Sequence, residues 1–356
     1  FEETMIDRRQ FSTLLALSGL AATTPATQAN AATKPLAARA SRRPIKPRRL
    51  APGDTVGMIL PATLAFNPSA IDLGREQLEA LGFKVKVGAH ARDKVGSYAG
   101  TDANRVADLH AMFADPEVAG IVCYAGGWGT PRLLPLLDFE LIAKNPKVFV
   151  GYSDITALLN AIHQETGLVT FHGPVAASNL QPFTIEHLKK AVMTAEPLGT
   201  LANPPKEDDE LVNRSWRIRT LRGGRATGRL VGGNLTLVSA LMGTPWQVQT
   251  EGAILVLEDI QEAPYRIDRM LTQLALGGLF EKVAGVAWGF CTDCESDGPS
   301  FSIEEILDDR LAKLGVPVVS GLAFGHIRKM LTLPIGLDAT LDADLGTFTI
   351  PEAAVV

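Results

Sequence analysis

The chain has 356 residues, 46% of them hydrophobic, and a formal net charge of −5. That length and apolar content suffice for one large or two medium cores, and two domains are expected. The acidity is mild and the basic residues gather near the N-terminus instead of spreading over a folded face, which excludes nucleic acid as the expected partner.

In chain order, the first feature is a targeting segment. Arg8-Arg9-Gln10-Phe11 precedes a Leu- and Ala-rich run from Phe11 to Ala22, and Ala29-Asn30-Ala31 offers small residues at the spacing of a cleavage site. Residues 1–31 therefore read as a twin-arginine signal peptide, and the expected compartment is the periplasm. The apolar run is about a dozen residues, short of the roughly 18 to 20 that a permanent membrane span needs. Residues 32–51 are basic and proline-broken, with no acidic side chain, and read as a flexible tether.

From Thr55 onward strand and helix patterns alternate. Strands are expected at 56–60, 83–87, 120–124 and 148–150, helices at 69–81 and 102–113, and a helical region at 131–143. Such alternation gives right-handed crossovers and a parallel sheet covered on both faces, with ligands at the carboxyl ends of its strands. Two loops lie there, Ala125-Gly126-Gly127-Trp128-Gly129 and Gly151-Tyr152-Ser153. Residues 179–222 are polar and proline-bearing, which suits a connector. A second α/β unit follows, with strands at 225–231, 253–257 and 283–289, helices at 234–242 and 265–276, and short strands from Val316. The expected domains are thus 52–178 and 223–356.

Ser153 is the residue on which chemistry turns. Ile155, Leu158, Leu159 and Ile162 recur at helical spacing, so a helix with one buried face begins just after it. A serine at a strand-to-helix junction presents its hydroxyl beyond the sheet edge, where free helical N–H groups can hold negative charge. The same serine, with Thr156 three residues on, also fits an ordinary N-cap. A nucleophilic serine needs a base, and the base an orienting acceptor. His110, His163 and His187 fall in expected helices and His90 in a polar loop, whereas His172 and His326 each follow an apolar strand into a glycine-rich bend. Pattern does not choose between those two. For the acceptor, Glu258 and Asp259 end the apolar run 254–257; a buried carboxylate is costly unless paired, although both could simply end the strand.

Gly126 and Gly127 would let backbone N–H groups approach an oxyanion, or merely permit a tight turn. Gly232-Gly233 reads as a turn. Cys291 and Cys294 form one C-x-x-C, a pair too few for a zinc site; a disulfide or two inert thiols suit an exported protein better than redox catalysis. Dinucleotide, P-loop and zincin motifs are absent from the sequence.

The ordered motifs Thr101-Asp102-Ala103-Asn104-Arg105, Gly126-Gly127-Trp128-Gly129, Gly151-Tyr152-Ser153-Asp154-Ile155-Thr156, Phe171-His172-Gly173-Pro174, Gly232-Gly233-Asn234-Leu235, Leu257-Glu258-Asp259, Tyr265-Arg266-Ile267-Asp268-Arg269 and Gly325-His326 resemble those of the LD-carboxypeptidase family. That family comprises the muramoyltetrapeptide carboxypeptidases and their microcin-immunity relatives, and the likeness runs from about Pro52 to the C-terminus. The resemblance implies a flavodoxin-like parallel-sheet N-terminal domain and a smaller, swivelling β/α C-terminal domain, usually in a homodimer, with no metal or organic cofactor. It implies a serine peptidase in which Ser153 is the nucleophile, His326 the general base and Glu258 its orienting carboxylate. The backbone N–H groups of Asp154 and Gly127 would form the oxyanion hole, and Gly126 and Trp128 are candidate substrate contacts. The implied substrate is a small muropeptide losing its terminal D-alanine. The alternatives are a microcin-immunity-like hydrolase of peptidyl or aminoacyl conjugates and a muropeptide-binding protein without turnover. Two departures stand out: Ala125 occupies a position where the family often has arginine, and relatives that recycle cell wall mostly work in the cytoplasm.

Overall fold

The structure, a computed structural model, describes residues 43–356; the expected signal peptide and the first part of the tether lie outside them. Four short, mostly apolar runs and one alternating edge strand, β2, form a parallel sheet: β1 (Thr55–Ile59), β2 (Lys84–Val87), β3 (Val118–Cys123), β4 (Val148–Gly151) and β5 (Thr170–His172). Their spatial order, 2-1-3-4-5, is that of flavodoxin-like folds. The crossovers carry α1 (Ser69–Ala80), α2 (Asp102–Ala114), α3 (Phe139–Lys144) and α4 (Thr156–Thr166). The helical region expected at 131–143 is instead two 3-10 turns, Thr130–Arg132 and Leu134–Leu136, before α3. Pro131 and Pro135 sit at the start of those turns, where each removes a donor that a continuous helix would need.

The stretch expected to be a connector carries regular structure of its own. It holds α5 (Pro182–Met193), β6 (Gly199–Leu201) and β7 (Arg219–Arg222). Pro182 opens α5 instead of breaking it, because a first-turn N–H has no intrahelical partner to lose. Thr184, Leu188, Ala191 and Val192 then form its buried face.

The remaining strands are β8 (Arg225–Asn234), β9 (Ile254–Ile260), β10 (Gly285–Thr292), β11 (Val318–Ser320), β12 (Leu333–Ile335), β13 (Asp338–Asp342) and β14 (Thr347–Ile350), with α6 (Leu235–Ala240), α7 (Pro264–Leu276) and α8 (Ile303–Arg310) between them. A second sheet runs β6-β14-β13-β8-β9-β10-β11-β7, parallel from β8 to β11 and antiparallel at its flanks. α8 is absent from the elements expected from periodicity, although Ser302 and Glu305 close a full capping box at its start. β12 departs from this unit and pairs antiparallel with β5 of the first sheet, placing Leu333 opposite His172.

The two sheets meet where α4 lies on β8. The Asn160 side chain accepts from Gly232 N at 3.0 Å and donates to Gly232 O at 2.8 Å, while Asn234 N donates to Thr156 Oγ1 at 3.0 Å. Gly232-Gly233 is therefore not a turn. It lies within β8 at φ 107° and 133°, and a Cβ on Gly233 would stand 2.6 Å from Thr156 Oγ1. Residues 43–51 depart from the tether reading too: Ile45 bridges to Leu168, Arg49 N donates to Val356 O at 2.8 Å, and Leu50 is buried. Pro47 and Leu50, interleaved with the basic residues, supply the surface that packs.

Candidate active site

β4 stops at Gly151, Tyr152 continues extended, and Ser153 then takes φ 63°, a left-handed conformation that costs a non-glycine residue about 1 kcal/mol or more. A 3-10 turn, Ser153–Ile155, leads into α4, whose N-cap position is Ile155 with no side-chain capping bond. Ser153 Oγ makes no hydrogen bond to a described residue. The serine is therefore not a cap; it occupies a strained, half-exposed elbow.

The glycine loop after β3 is stitched to that elbow. Asp154 is buried, its carboxylate accepts from Thr130 N at 2.8 Å, and its carbonyl accepts from Thr130 Oγ1 at 2.5 Å. Burial pushes the Asp154 carboxyl above its ordinary range, and the bonds from Thr130 oppose the shift. Beneath the loop, the buried Arg105 donates to Pro61 O at 2.7 Å and lies 4.5 Å from the Tyr98 ring centre, while Trp128 N donates to Thr63 Oγ1 at 3.1 Å. Gly126 backs directly onto the serine: an added Cβ would stand 2.8 Å from Ser153 Cβ, 3.0 Å from its Oγ and 3.3 Å from Asp154 N. The Trp128 indole, 51% exposed, donates to Ser97 Oγ at 3.0 Å.

The acid and base candidates come from the second sheet. Glu258 is fully buried near the carboxyl end of β9, in register with Asn234 of β8, and its Oε2 lies 2.8 Å from His326 Nδ1. Those residues are 68 positions apart in sequence. Its Oε1 is buried and without a partner. The His326 carbonyl accepts from Thr292 Oγ1 at 2.8 Å, which holds the bend after β11 in place. The His326 side chain is 13% exposed and packs on Tyr152, the residue before Ser153, with ring centres 4.8 Å apart. Asp259 does behave as a strand-end residue: it accepts from Asn234 Nδ2 at 2.9 Å and Thr236 N at 3.0 Å, closing the start of α6. Burial and the neighbouring Glu258 push its carboxyl up to about 6.

His172, the other candidate base, approaches the same tyrosine from β5, with ring centres 5.9 Å apart and Phe324 edge-on at 5.7 Å. It is fully buried, and neither ring nitrogen has a hydrogen-bond partner. Of these two candidates, His326 alone combines a carboxylate partner with access to solvent. Burial holds the imidazoles of His172 and of His163, which is interior on α4, down at about 4. An unfolded histidine titrates near 6.5, so between about 6.5 and 4 the unfolded chain takes up protons that the folded chain refuses. Stability conferred by keeping these rings neutral is full above that window and falls with pH through it, by on the order of 3 kcal/mol per ring at pH 4. Thermal melts should therefore drop steeply between pH 6.5 and 4.5, and His172→Phe should flatten the profile. An unchanged slope would mean another group titrates.

A cavity of about 710 Å³ opens beside His326, walled by Tyr152, Trp216, Glu207, Arg328 and Lys329 among others. A larger one, about 930 Å³, lies over the Cys291–Cys294 disulfide and contains neither Ser153 nor His326. The smaller is the functional candidate because His326 lines it, with Glu258 buried behind; Ser153 lines neither cavity, but Tyr152, the residue before it, lines the smaller. Trp216 and the Arg328-Lys329 pair escaped the sequence reading, the first inside the supposed connector and the others beyond the glycine-histidine motif. Among the described residues no group of three or more His, Cys, Asp or Glu side chains is placed to hold a metal ion, and no helix is long and apolar enough to cross a membrane.

The geometry is that of a hydrolase built on an α/β scaffold, and the comparisons agree. Residues 56–173 match the LD-carboxypeptidase N-terminal domain and residues 227–341 its C-terminal domain, so the chain belongs to the LD-carboxypeptidase family. It is 41% identical over 313 residues to a probable murein peptide carboxypeptidase of Bacillus subtilis, covering 87% of this chain and 95% of that protein. Among solved structures it resembles the microcin C7 self-immunity protein in its apo state, with a TM-score of 0.80, 28% identity, and coverage of 88% of this chain and 100% of that one. It also resembles a muramoyltetrapeptide carboxypeptidase from Oxalobacter formigenes, with a TM-score of 0.71, 29% identity, and coverage of 84% and 98%. The parallel-sheet first domain joined to a second β/α domain is thus both the expected and the observed class of fold.

Proposed function

We propose that this chain is an exported serine LD-carboxypeptidase that releases the terminal D-alanine from peptidoglycan-derived tetrapeptides. The observation that carries the reading is the 2.8 Å bond between buried Glu258 and solvent-accessible His326, against the tyrosine that precedes a left-handed serine. Ser153 Oγ attacks the carbonyl of the third residue as His326 takes its proton. The oxyanion rests on the N–H groups of Asp154 and Gly127, each such donor being worth about 3 kcal/mol. His326 then protonates the departing amine, water adds to the acyl-serine with His326 again as base, and the tripeptide leaves. Glu258 stabilises the imidazolium in both halves. Incubation with a synthetic tetrapeptide ending in D-alanine should yield tripeptide and free D-alanine; no release by folded protein would overturn the reading.

A second reading draws on the likeness to the microcin C7 self-immunity structure: the same serine chemistry applied to an aminoacyl or peptidyl conjugate. Parallel assays on a tetrapeptide and on such a conjugate separate the two by kcat/KM. A binding protein without turnover fits less well, since Ser153, Glu258 and His326 are all retained. For export, mass spectrometry of the secreted protein should find Ala32 as its first residue; an uncleaved cytoplasmic product would refute that part.

A further inference from the structure

We infer that Arg328 binds the free carboxylate of the departing residue and thereby makes the site an exopeptidase site; the inference rests on the proposed peptidase reading. Two cations line the cavity beside His326, Arg328 and Lys329. Lys329 is committed. Its Nζ pairs with both oxygens of Glu207, at 2.8 and 2.9 Å, and Glu207 also accepts from Trp216 Nε1 at 2.9 Å. The Arg328 guanidinium is exposed and makes no ion pair or hydrogen bond with a described residue. The cations behind the glycine loop are also taken: Arg105 and Arg132 both pair with Asp102, and Ala125 supplies no charge.

The backbone that carries Arg328 is held in register with the base. Thr184, buried in α5, accepts from Met330 N at 3.0 Å and donates to Arg328 O at 3.2 Å. Ile327 N donates to Gly325 O at 2.9 Å, Leu331 N to Ala323 O at 2.7 Å, and Thr292 Oγ1 to His326 O at 2.8 Å. A single residue, Ile327, separates His326 from Arg328, so their Cα atoms are at most about 7 Å apart.

Chemistry demands a cation at such a distance. In a C-terminal residue one carbon joins the scissile nitrogen to the carboxylate, and His326 must reach that nitrogen to protonate it as it leaves. The carboxylate is therefore brought to the rim next to His326, where a partly desolvated anion needs a partner. A guanidinium can hold both carboxylate oxygens at once, which a lysine point charge cannot. An amide or a longer chain at that position would forfeit the contact.

The test compares a tetrapeptide ending in free D-alanine with the same peptide ending in D-alanine amide. Titration calorimetry on Ser153→Ala protein reads affinity without turnover. The acid should bind about ten- to a hundredfold more tightly than the amide, Arg328→Ala in that background should erase the difference, and Arg328→Lys should restore part of it. Arg328→Gln serves as a second neutral variant should the alanine protein misfold. A preference for the acid that survives neutralisation of Arg328, equal affinities in the parent, or failure to bind either peptide overturns the assignment. If the peptide binds with the expected preference but protein with Ser153 intact releases no D-alanine, the peptidase reading falls and the carboxylate site stands.

Discussion

Ser153→Ala is expected to abolish release of D-alanine while leaving the fold intact. Removing a nucleophile that acts as one unit with its base typically costs on the order of 10⁴- to 10⁶-fold in kcat. Stability should scarcely move, because the hydroxyl makes no hydrogen bond to a described residue and caps no helix. Ser153→Gly sharpens the point: glycine adopts φ 63° without the Cβ penalty, so that variant should be equally inactive yet melt no lower than the parent. The two measurements are a chromatographic assay of released D-alanine and a thermal melt. A variant that keeps near-normal activity removes Ser153 as the nucleophile, and one that loses activity only by unfolding leaves the residue structural.

Local pattern revealed most of the first sheet because a buried parallel strand is a continuous apolar run and its crossover helices carry one apolar stripe. Runs such as Val148-Phe149-Val150 and Ile254-Leu255-Val256-Leu257 have no competing assignment. Proline misled in both directions. Pro131 and Pro135 cut a predicted helix into 3-10 turns, whereas Pro182, within the proline-bearing stretch expected to be a connector, starts a helix. The difference is position within the turn, which depends on where the chain enters the helix. Gly232-Gly233 looked like a turn because its purpose is tertiary: it lets β8 approach Thr156 of α4, a contact invisible to periodicity. The same limit applied at the site. Ser153 and Glu258 were visible as strand-end residues, but the choice between His172 and His326 depended on which imidazole meets a carboxylate across 68 positions. Burial separates them physically, since His172 is enclosed by Phe324 and Tyr152 with no acceptor at either nitrogen.

Glu258→Gln should lower kcat by on the order of 10⁴-fold with little change in KM. The carboxylate is fully buried and does not line the cavity, so it has no means of touching the peptide in the ground state. Its bond to His326 Nδ1 strengthens only as the imidazole takes up the serine proton and becomes cationic, which is the definition of an interaction felt in the transition state. A carboxamide of the same shape either presents its weaker oxygen or turns its NH₂ toward the ring and selects the wrong tautomer. The fold should survive the change, because the carboxamide has the same shape, at a cost of about 1 to 3 kcal/mol for an NH₂ placed where the buried Glu258 Oε1 has no partner. If Glu258 acts solely through the imidazole, the double variant Glu258→Gln with His326→Ala should be scarcely worse than His326→Ala alone. Additive losses in that cycle, or full activity in Glu258→Gln, would show that the carboxylate only ends its strand and that His326 takes its orientation from the Tyr152 ring and the Thr292 hydrogen bond.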